Sequence, residues 1–253
     1  MPIENIRSNT QIFLISFVHM RTKIIATIGP ASIEKEVLSQ LIENGMDIIR
    51  INTSYGDENQ YRTILKNLNE LDKSSKIKKM LDIKNENALS FCAVNKMDLI
   101  AVSFAEGREQ ILGIKRKLPE CIVVSKIESV KGVENYDDII DVSDGVMIAR
   151  GDLSQAVTIE KVPVLQKRFT KIALSKKKFV IAATEMLLSM TEKPYPTNAE
   201  ASDVANAVFD GVDAVMLSEE TAIGKYPAEA VKMMRNIITE AENFLAEEEM
   251  GKN

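Results

Sequence analysis

From Lys23 onward, short apolar runs alternate with longer amphipathic stretches, and no other feature constrains the fold of this chain as tightly. The runs are Lys23–Ile28, Asp47–Asn52, Lys78–Ile83, Asp98–Val102, Cys121–Ser125, Gly145–Ile148, Phe179–Ala183 and Ala214–Leu217. They are rich in Ile, Val, Ala and Met with little polar alternation, as in parallel strands covered on both faces. Helical candidates lie between them at Ile33–Asn44, Asp57–Ser74, Gly107–Leu118, Val130–Val142, Val162–Ser175, Thr197–Phe209 and Pro227–Glu248. The connection Lys84–Met97 is short and carries the weakest helical signal. Gly45 and Gly211 stand where helices close in left-handed geometry, and Pro227 stands where one begins without losing a bond.

Eight strand–helix units in a chain of 253 residues match the (β/α)8 TIM barrel, which needs roughly 250 residues to close. An open doubly wound sheet is the alternative. The barrel is expected over residues 21–253, with residues 1–20 as an N-terminal extension. Its apolar run Ile12–Val18 is far shorter than the ~20 residues that span a bilayer, and no cationic leader or small-residue cleavage site accompanies it. Apolar residues at 45% and charged residues at 27% exclude disordered and fibrous classes. A net charge of −5 and the lack of Trp argue against nucleic acid and anionic membrane as partners. The single histidine, His19, and two isolated cysteines, Cys92 and Cys121, exclude His-rich zinc sites and fit a reduced, cytoplasmic protein.

In a barrel of this kind the active site gathers at the C-terminal strand ends, so polar residues there carry the information. Strand two ends at Arg50-Ile51-Asn52-Thr53-Ser54 and strand three at Asp82-Ile83-Lys84. Strand five runs into Ser125-Lys126-Ile127-Glu128, and strand six into Ala149-Arg150-Gly151-Asp152. Strand seven ends at Thr184-Glu185 and strand eight at Ser218-Glu219-Glu220. Glu128 and Asp152 are hard oxygen ligands of the type that suits Mg²⁺ or Mn²⁺. Lys126 is a compact charge suited to a phosphoryl group or an enolate oxygen. Gly151 lets backbone approach a ligand closely. The spacing therefore supports a metal-assisted enzyme acting on a phosphorylated or carboxylated small molecule, and no finer statement.

The motifs themselves resemble those of the pyruvate kinase family. Thr22-Lys23-Ile24-Ile25-Ala26-Thr27-Ile28-Gly29-Pro30-Ala31-Ser32 resembles that family's opening strand, and Gly45-Met46 through Ser54 its second. Lys126-Ile127-Glu128, Asp144 through Leu153, Ala183-Thr184-Glu185-Met186-Leu187 and Lys193-Pro194-Tyr195-Pro196-Thr197 follow in family order. So do Ser202 through Val208 and Met216 through Ala222. The resemblance implies transfer of a phosphoryl group from phosphoenolpyruvate to ADP, giving pyruvate and ATP. It implies Glu128 and Asp152 as ligands of Mg²⁺ or Mn²⁺, with Lys126 against the phosphoryl group and enolate oxygen. Arg50 is implied to bind the phosphate. Backbone groups at Ala149, Arg150, Gly151 and Asp152 would take the substrate carboxylate, and Thr184 would lie by the methylene carbon. Asn52, Ser54, Asp82 and the Ile83 carbonyl would form a K⁺ site. The segment Lys193–Asp203 resembles one that packs between subunits, so a homo-oligomer is implied, although Asn198 replaces the usual Arg.

The departures are also specific. The family inserts a lid domain after strand three, whereas only fifteen residues, Lys84 to Asp98, separate strands three and four here. A C-terminal domain is likewise expected to be missing. Tyr55 stands in place of His, Asn85 of Gly, Ser129 of Asn, Glu185 of Gln and Glu219 of Gly. A lid excludes water and assembles phosphate contacts, so a slow kinase with a high ADP requirement is expected. Two alternatives stand beside it: a Mg²⁺-dependent lyase or decarboxylase of an oxaloacetate-type 2-oxo acid, and a phosphoenolpyruvate-binding or assembly module without catalysis.

Overall fold

Each of the eight apolar runs forms a strand, and the strand order β1-β2-β3-β4-β5-β6-β7-β8 closes into a parallel (β/α)8 barrel. The computed structural model describes residues 21–250; the extension expected over residues 1–20 lies outside them. The strands are β1 Lys23–Thr27, β2 Ile48–Asn52, β3 Lys78–Ile83, β4 Leu99–Val102, β5 Ile122–Ile127, β6 Gly145–Ala149, β7 Phe179–Ala183 and β8 Ala214–Leu217. The helices are α1 Lys35–Glu43, α2 Glu58–Leu71, α3 Leu89–Val94, α4 Arg108–Lys117, α5 Val130–Glu134, α6 Tyr136–Val142, α7 Arg150–Ala156, α8 Val162–Ser175, α9 Asn198–Phe209, α10 Glu219–Ala222 and α11 Pro227–Met250. By chain contacts the protein divides into a central unit, Lys79–Ile181, and a terminal unit, Thr22–Lys78 with the stretch from Ala182 onward.

In the central unit, β3, β4, β5 and β6 pair in parallel, with Ile83 opposite Val102, Val102 opposite Ser125, and Lys126 opposite Met147. The last of these pairings carries β5 two residues further than its apolar run predicts. Every residue of β5 is buried, Ser125 and Lys126 included. Two-sided burial is why these strands read as unbroken apolar runs. The helix expected over Val130–Val142 is instead two, α5 and α6. The break falls at Asn135, whose side-chain amide donates to the Glu106 carbonyl at 2.7 Å. Tyr136 then stacks on Phe169, ring centroids 4.0 Å apart, and its hydroxyl donates to the Phe169 carbonyl.

In the terminal unit β1 pairs with both β2 and β8. Gly45 and Gly211 adopt positive φ at the ends of α1 and α9, as expected. Thr197 and Glu200 form a reciprocal capping box at the start of α9.

One device recurs at the strand entries. Asp98 and Asp144 each accept a hydrogen bond from a backbone N–H at the start of the preceding strand, at Lys79 and Val123. Asp47 does the same for Ile24 in the terminal unit. A carboxylate placed there satisfies a donor that would otherwise be stranded at the end of the ladder.

Candidate active site

The central unit gathers charge around one lysine. Lys126 projects from the C-terminal end of β5, and its Nζ lies 3.2 and 3.1 Å from the two Asp82 oxygens. It is also 3.0 Å from Ser103 Oγ and 2.8 Å from Glu128 Oε1. Ser103 Oγ donates to Asp82 at 3.2 Å. Glu128 Oε2 accepts the Phe104 N–H at 2.8 Å, and Phe104 takes a left-handed φ of 49° there. The Lys126 side chain is 8% exposed and both carboxylates 1%. Two buried carboxylates thus face one cation, an excess of acidic over basic groups in a buried site. Burial pushes the Glu128 carboxyl above its ordinary pKa, against the pull of Lys126.

The same arithmetic tests the fit of a divalent cation. Glu128 Oε1 is buried and has no hydrogen bond of good alignment, only its charge contact with Lys126. A buried carboxylate oxygen whose one close partner is a shared cation, in a site short of positive charge, suits a further hard cation. No group of three or more His, Cys, Asp or Glu residues gathers for a metal among the described residues. A divalent ion would therefore rest on few carboxylates, with water and substrate completing its shell, which is the habit of Mg²⁺. Ala149 ends β6, and Arg150, Gly151 and Asp152 open α7 rather than a simple turn. Arg150 is buried, while Asp152 is exposed.

The terminal unit builds its part from backbone shape. Arg50, at the end of β2, is 5% exposed and donates from Nη1 to Thr27 Oγ1 at 2.8 Å. Thr27 Oγ1 in turn donates to the Leu217 carbonyl at 2.9 Å. Asn52 Oδ1 accepts the Ser54 N–H. Thr184 and Glu185 both take left-handed φ, 68° and 55°, a costly choice for non-glycine residues. The fully buried Glu220 reaches into the same segment, accepting the Leu187 N–H at 3.0 Å and the Ser218 N–H at 2.7 Å. Burial raises the pKa of Glu220. A cavity of about 310 Å³ opens beside Arg50, walled by Gly29, Pro30, Tyr55, Tyr61, Ser218 and Ile223. A Cβ on Gly29 would stand 2.6 Å from the Ala222 carbonyl, so only glycine fits that wall.

Ser103, Phe104 and Thr27 hold expected site residues, Glu220 holds the Leu187 and Ser218 backbone beside one, and none of the four received a role from the sequence. The available signal was positional: each ends a strand or follows one directly. The K⁺ residues fall in both units, Asn52 and Ser54 in one, Asp82 and Ile83 in the other. Within the central unit Asp82 is engaged by Lys126 and Ser103.

Comparison with known proteins decides the family. The pyruvate kinase barrel domain matches this sequence over residues 19–88 and 78–231. The chain belongs to the pyruvate kinase family. Pyruvate kinase of Clostridium acetobutylicum is 47% identical over 175 residues, covering 65% of this chain and 37% of the relative. That of Bacillus licheniformis is 32% identical over 337 residues, covering 89% of this chain and 58% of the relative. The Dictyostelium discoideum pyruvate kinase is also 32% identical over 337 residues, covering 88% and 66%. The chain therefore spans between about a third and two thirds of these curated relatives. The 337-residue alignments are longer than the chain itself, so those pyruvate kinases carry internal residues that it lacks. The two pieces of the family match meet at residues 78–88, where β3 runs into the short connection to β4.

Proposed function

We propose that this chain performs pyruvate kinase-type chemistry, transferring the phosphoryl group of phosphoenolpyruvate to ADP, at a rate held down by the short β3–β4 connection. The observation that carries the reading is Lys126, buried and held by Asp82, Ser103 and Glu128. A cation fixed in advance costs no reorganisation when negative charge develops on a transferring phosphoryl group or an enolate oxygen. Mg²⁺ or Mn²⁺, held by Glu128 and Asp152, would supply further charge neutralisation on substrate oxygens.

In this reading Arg50 binds the substrate phosphate, and the backbone at Ala149, Arg150, Gly151 and Asp152 receives its carboxylate. Thr184 stands by the methylene carbon where a proton arrives after transfer. Its left-handed turn, tied through Glu220, supports that fixed placement. Asn52, Ser54, Asp82 and the Ile83 carbonyl are proposed to serve K⁺. The apolar and aromatic wall of the cavity beside Arg50 is of a kind that accepts a planar ring, in keeping with a nucleotide as second substrate. With no inserted segment to cover the site, ADP is held weakly and water competes.

The short connection also favours a second reading, a metal-dependent lyase of an oxaloacetate-type 2-oxo acid. There Lys126 would stabilise enolpyruvate and no nucleotide is needed. One assay separates the two: pyruvate is followed with Mg²⁺ and K⁺, from phosphoenolpyruvate or oxaloacetate, with and without ADP. ADP-dependent pyruvate from phosphoenolpyruvate supports the kinase. ADP-independent pyruvate from oxaloacetate replaces it with the lyase. Ligand binding without pyruvate in any arm rejects both in favour of a binding or assembly module. The oligomeric contact at Lys193–Asp203 and a cytoplasmic location are likewise proposals; no helix among the described residues is long and apolar enough to cross a membrane.

A further inference from the structure

Cys92 and Cys121 stand 29 positions apart in sequence, yet their sulfurs lie 3.6 Å apart. Both are free and buried. Cys92 belongs to α3, within the short β3–β4 connection, and Cys121 directly precedes β5. Cys121 donates its S–H to the Met97 carbonyl at 3.1 Å, which leaves its sulfur to accept from Cys92. The Cys92 contact holds the Cys121 thiol below its ordinary pKa, while the same contact and burial push Cys92 up. Both residues line a cavity of about 570 Å³ that also touches Lys96, Lys117, Leu118 and Pro119. It lies where β5 begins, away from the strand end that carries Lys126. A cavity large enough for a small oxidant thus adjoins two thiols already in contact, with Cys121 the more exposed of the two.

We propose that Cys92 and Cys121 form a reversible dithiol–disulfide couple, oxidised by hydrogen peroxide, whose disulfide fastens the β3–β4 connection to the start of β5. The Cys121 thiolate attacks one peroxide oxygen; the O–O bond breaks, and the leaving hydroxide takes up a proton to give water. Cys121 is then a sulfenic acid. The Cys92 sulfur, losing its proton, attacks the Cys121 sulfur; the S–O bond breaks and a second water leaves. Two thiols have given up two electrons and the peroxide has been reduced to two waters. Closing to a bonding distance of ~2.05 Å asks for about 1.5 Å of movement. The short helix α3, which is followed by a left-handed turn at Lys96, can supply it.

The test uses the full chain treated with hydrogen peroxide, then quenched. The cysteine-containing peptides are expected to lose about 2 Da in sum, thiols titrated in denaturant to drop from two to none, and one crosslinked peptide pair to contain both cysteines. Dithiothreitol should reverse all three. The oxidised chain should melt roughly 5 °C higher, since the bridge restricts the unfolded chain while the folded chain already holds the two sulfurs together. In Cys92→Ser the sulfenic acid has no resolving partner, so dimedone should label Cys121 there and not in the wild type. Sulfinic or sulfonic acid mapped on Cys92 or Cys121 in the wild type, a covalent dimer, or two thiols persisting after treatment would each overturn the proposal. The wild-type thiol count and peptide map decide even if the variant fails to fold.

Discussion

The two units hold their candidate residues by different physics. In the central unit, side chains hold side chains: Lys126 is fixed by Asp82, Glu128 and Ser103, all buried. In the terminal unit, backbone geometry does most of the work. Thr184 is aimed by two successive left-handed residues, and Glu220 ties that segment down through N–H groups rather than through charge. A charge cluster of this kind is most sensitive to the loss of its one cation, because that deletion strands two buried carboxylates. A backbone clamp is sensitive to the carboxylate that satisfies it and tolerant of its neighbours. The contrast predicts which substitutions are severe and which are graded.

Lys126→Met should have the largest effect. It should cut pyruvate formation by about a thousandfold or more, and the unpaired Asp82 and Glu128 should cost about 3–5 kcal/mol of stability. A steady-state assay and a denaturant melt check the two parts. An active, stable variant would break the picture of a pre-set charge cluster.

Glu220→Ala should follow. It leaves the Leu187 and Ser218 N–H groups buried without an acceptor, at about 1–3 kcal/mol each. The freed Thr184 turn should lower kcat by roughly tenfold to a hundredfold, a conformational effect of the kind misplacement produces. Equal rates in variant and wild type, with the expected loss of Tm, would confine Glu220 to a structural role.

Thr27→Val removes the acceptor of Arg50 Nη1 and the donor to the Leu217 carbonyl. A rise of roughly tenfold in the KM for phosphoenolpyruvate is expected, with kcat nearly kept, matching about 1.4 kcal/mol of lost binding. A kcat loss with an unchanged KM would move Arg50 from ground-state binding to transition-state stabilisation.

The smallest effect concerns pH and lies away from the reacting groups. Burial works against ionisation of Glu200, but donation from Ser189 and Thr197 more than offsets it and leaves the carboxyl below its ordinary value. A depressed acid contributes its full stability above the ordinary glutamate pKa and loses it as pH falls through the folded value. Glu200→Gln should therefore cost about 1 kcal/mol at pH 7 and less than that at pH 3, as read from urea midpoints across that window. A gap that widens toward low pH would contradict the sign.

Much of the fold was legible in the sequence because two-sided burial leaves a direct trace. Each apolar run became a strand, and the later boundaries moved by only a residue or two where register, as at Lys126 opposite Met147, outran hydrophobicity. The break at Asn135 was hidden because it depends on a carbonyl at Glu106, far along the chain. The candidate site was legible as residue types at strand ends, but not as an arrangement. Nothing local in the sequence says that Ser103 meets Lys126, that Phe104 gives its N–H to Glu128, or that Glu220 holds the Leu187 segment. The cysteines make the same point: the sequence shows two isolated thiols, and the fold brings them into contact.

By itself, then, the sequence determined the eight-fold alternation, the parallel barrel and the residue types offered at each strand end. These follow from periodicity and burial, which are properties of successive positions. Only the tertiary structure decided which charges share a buried pocket, which backbone N–H meets Glu128, and which two sulfurs touch. Those depend on distances between residues separated by tens of positions, and on the loss of water around them, which no single stretch of chain can encode.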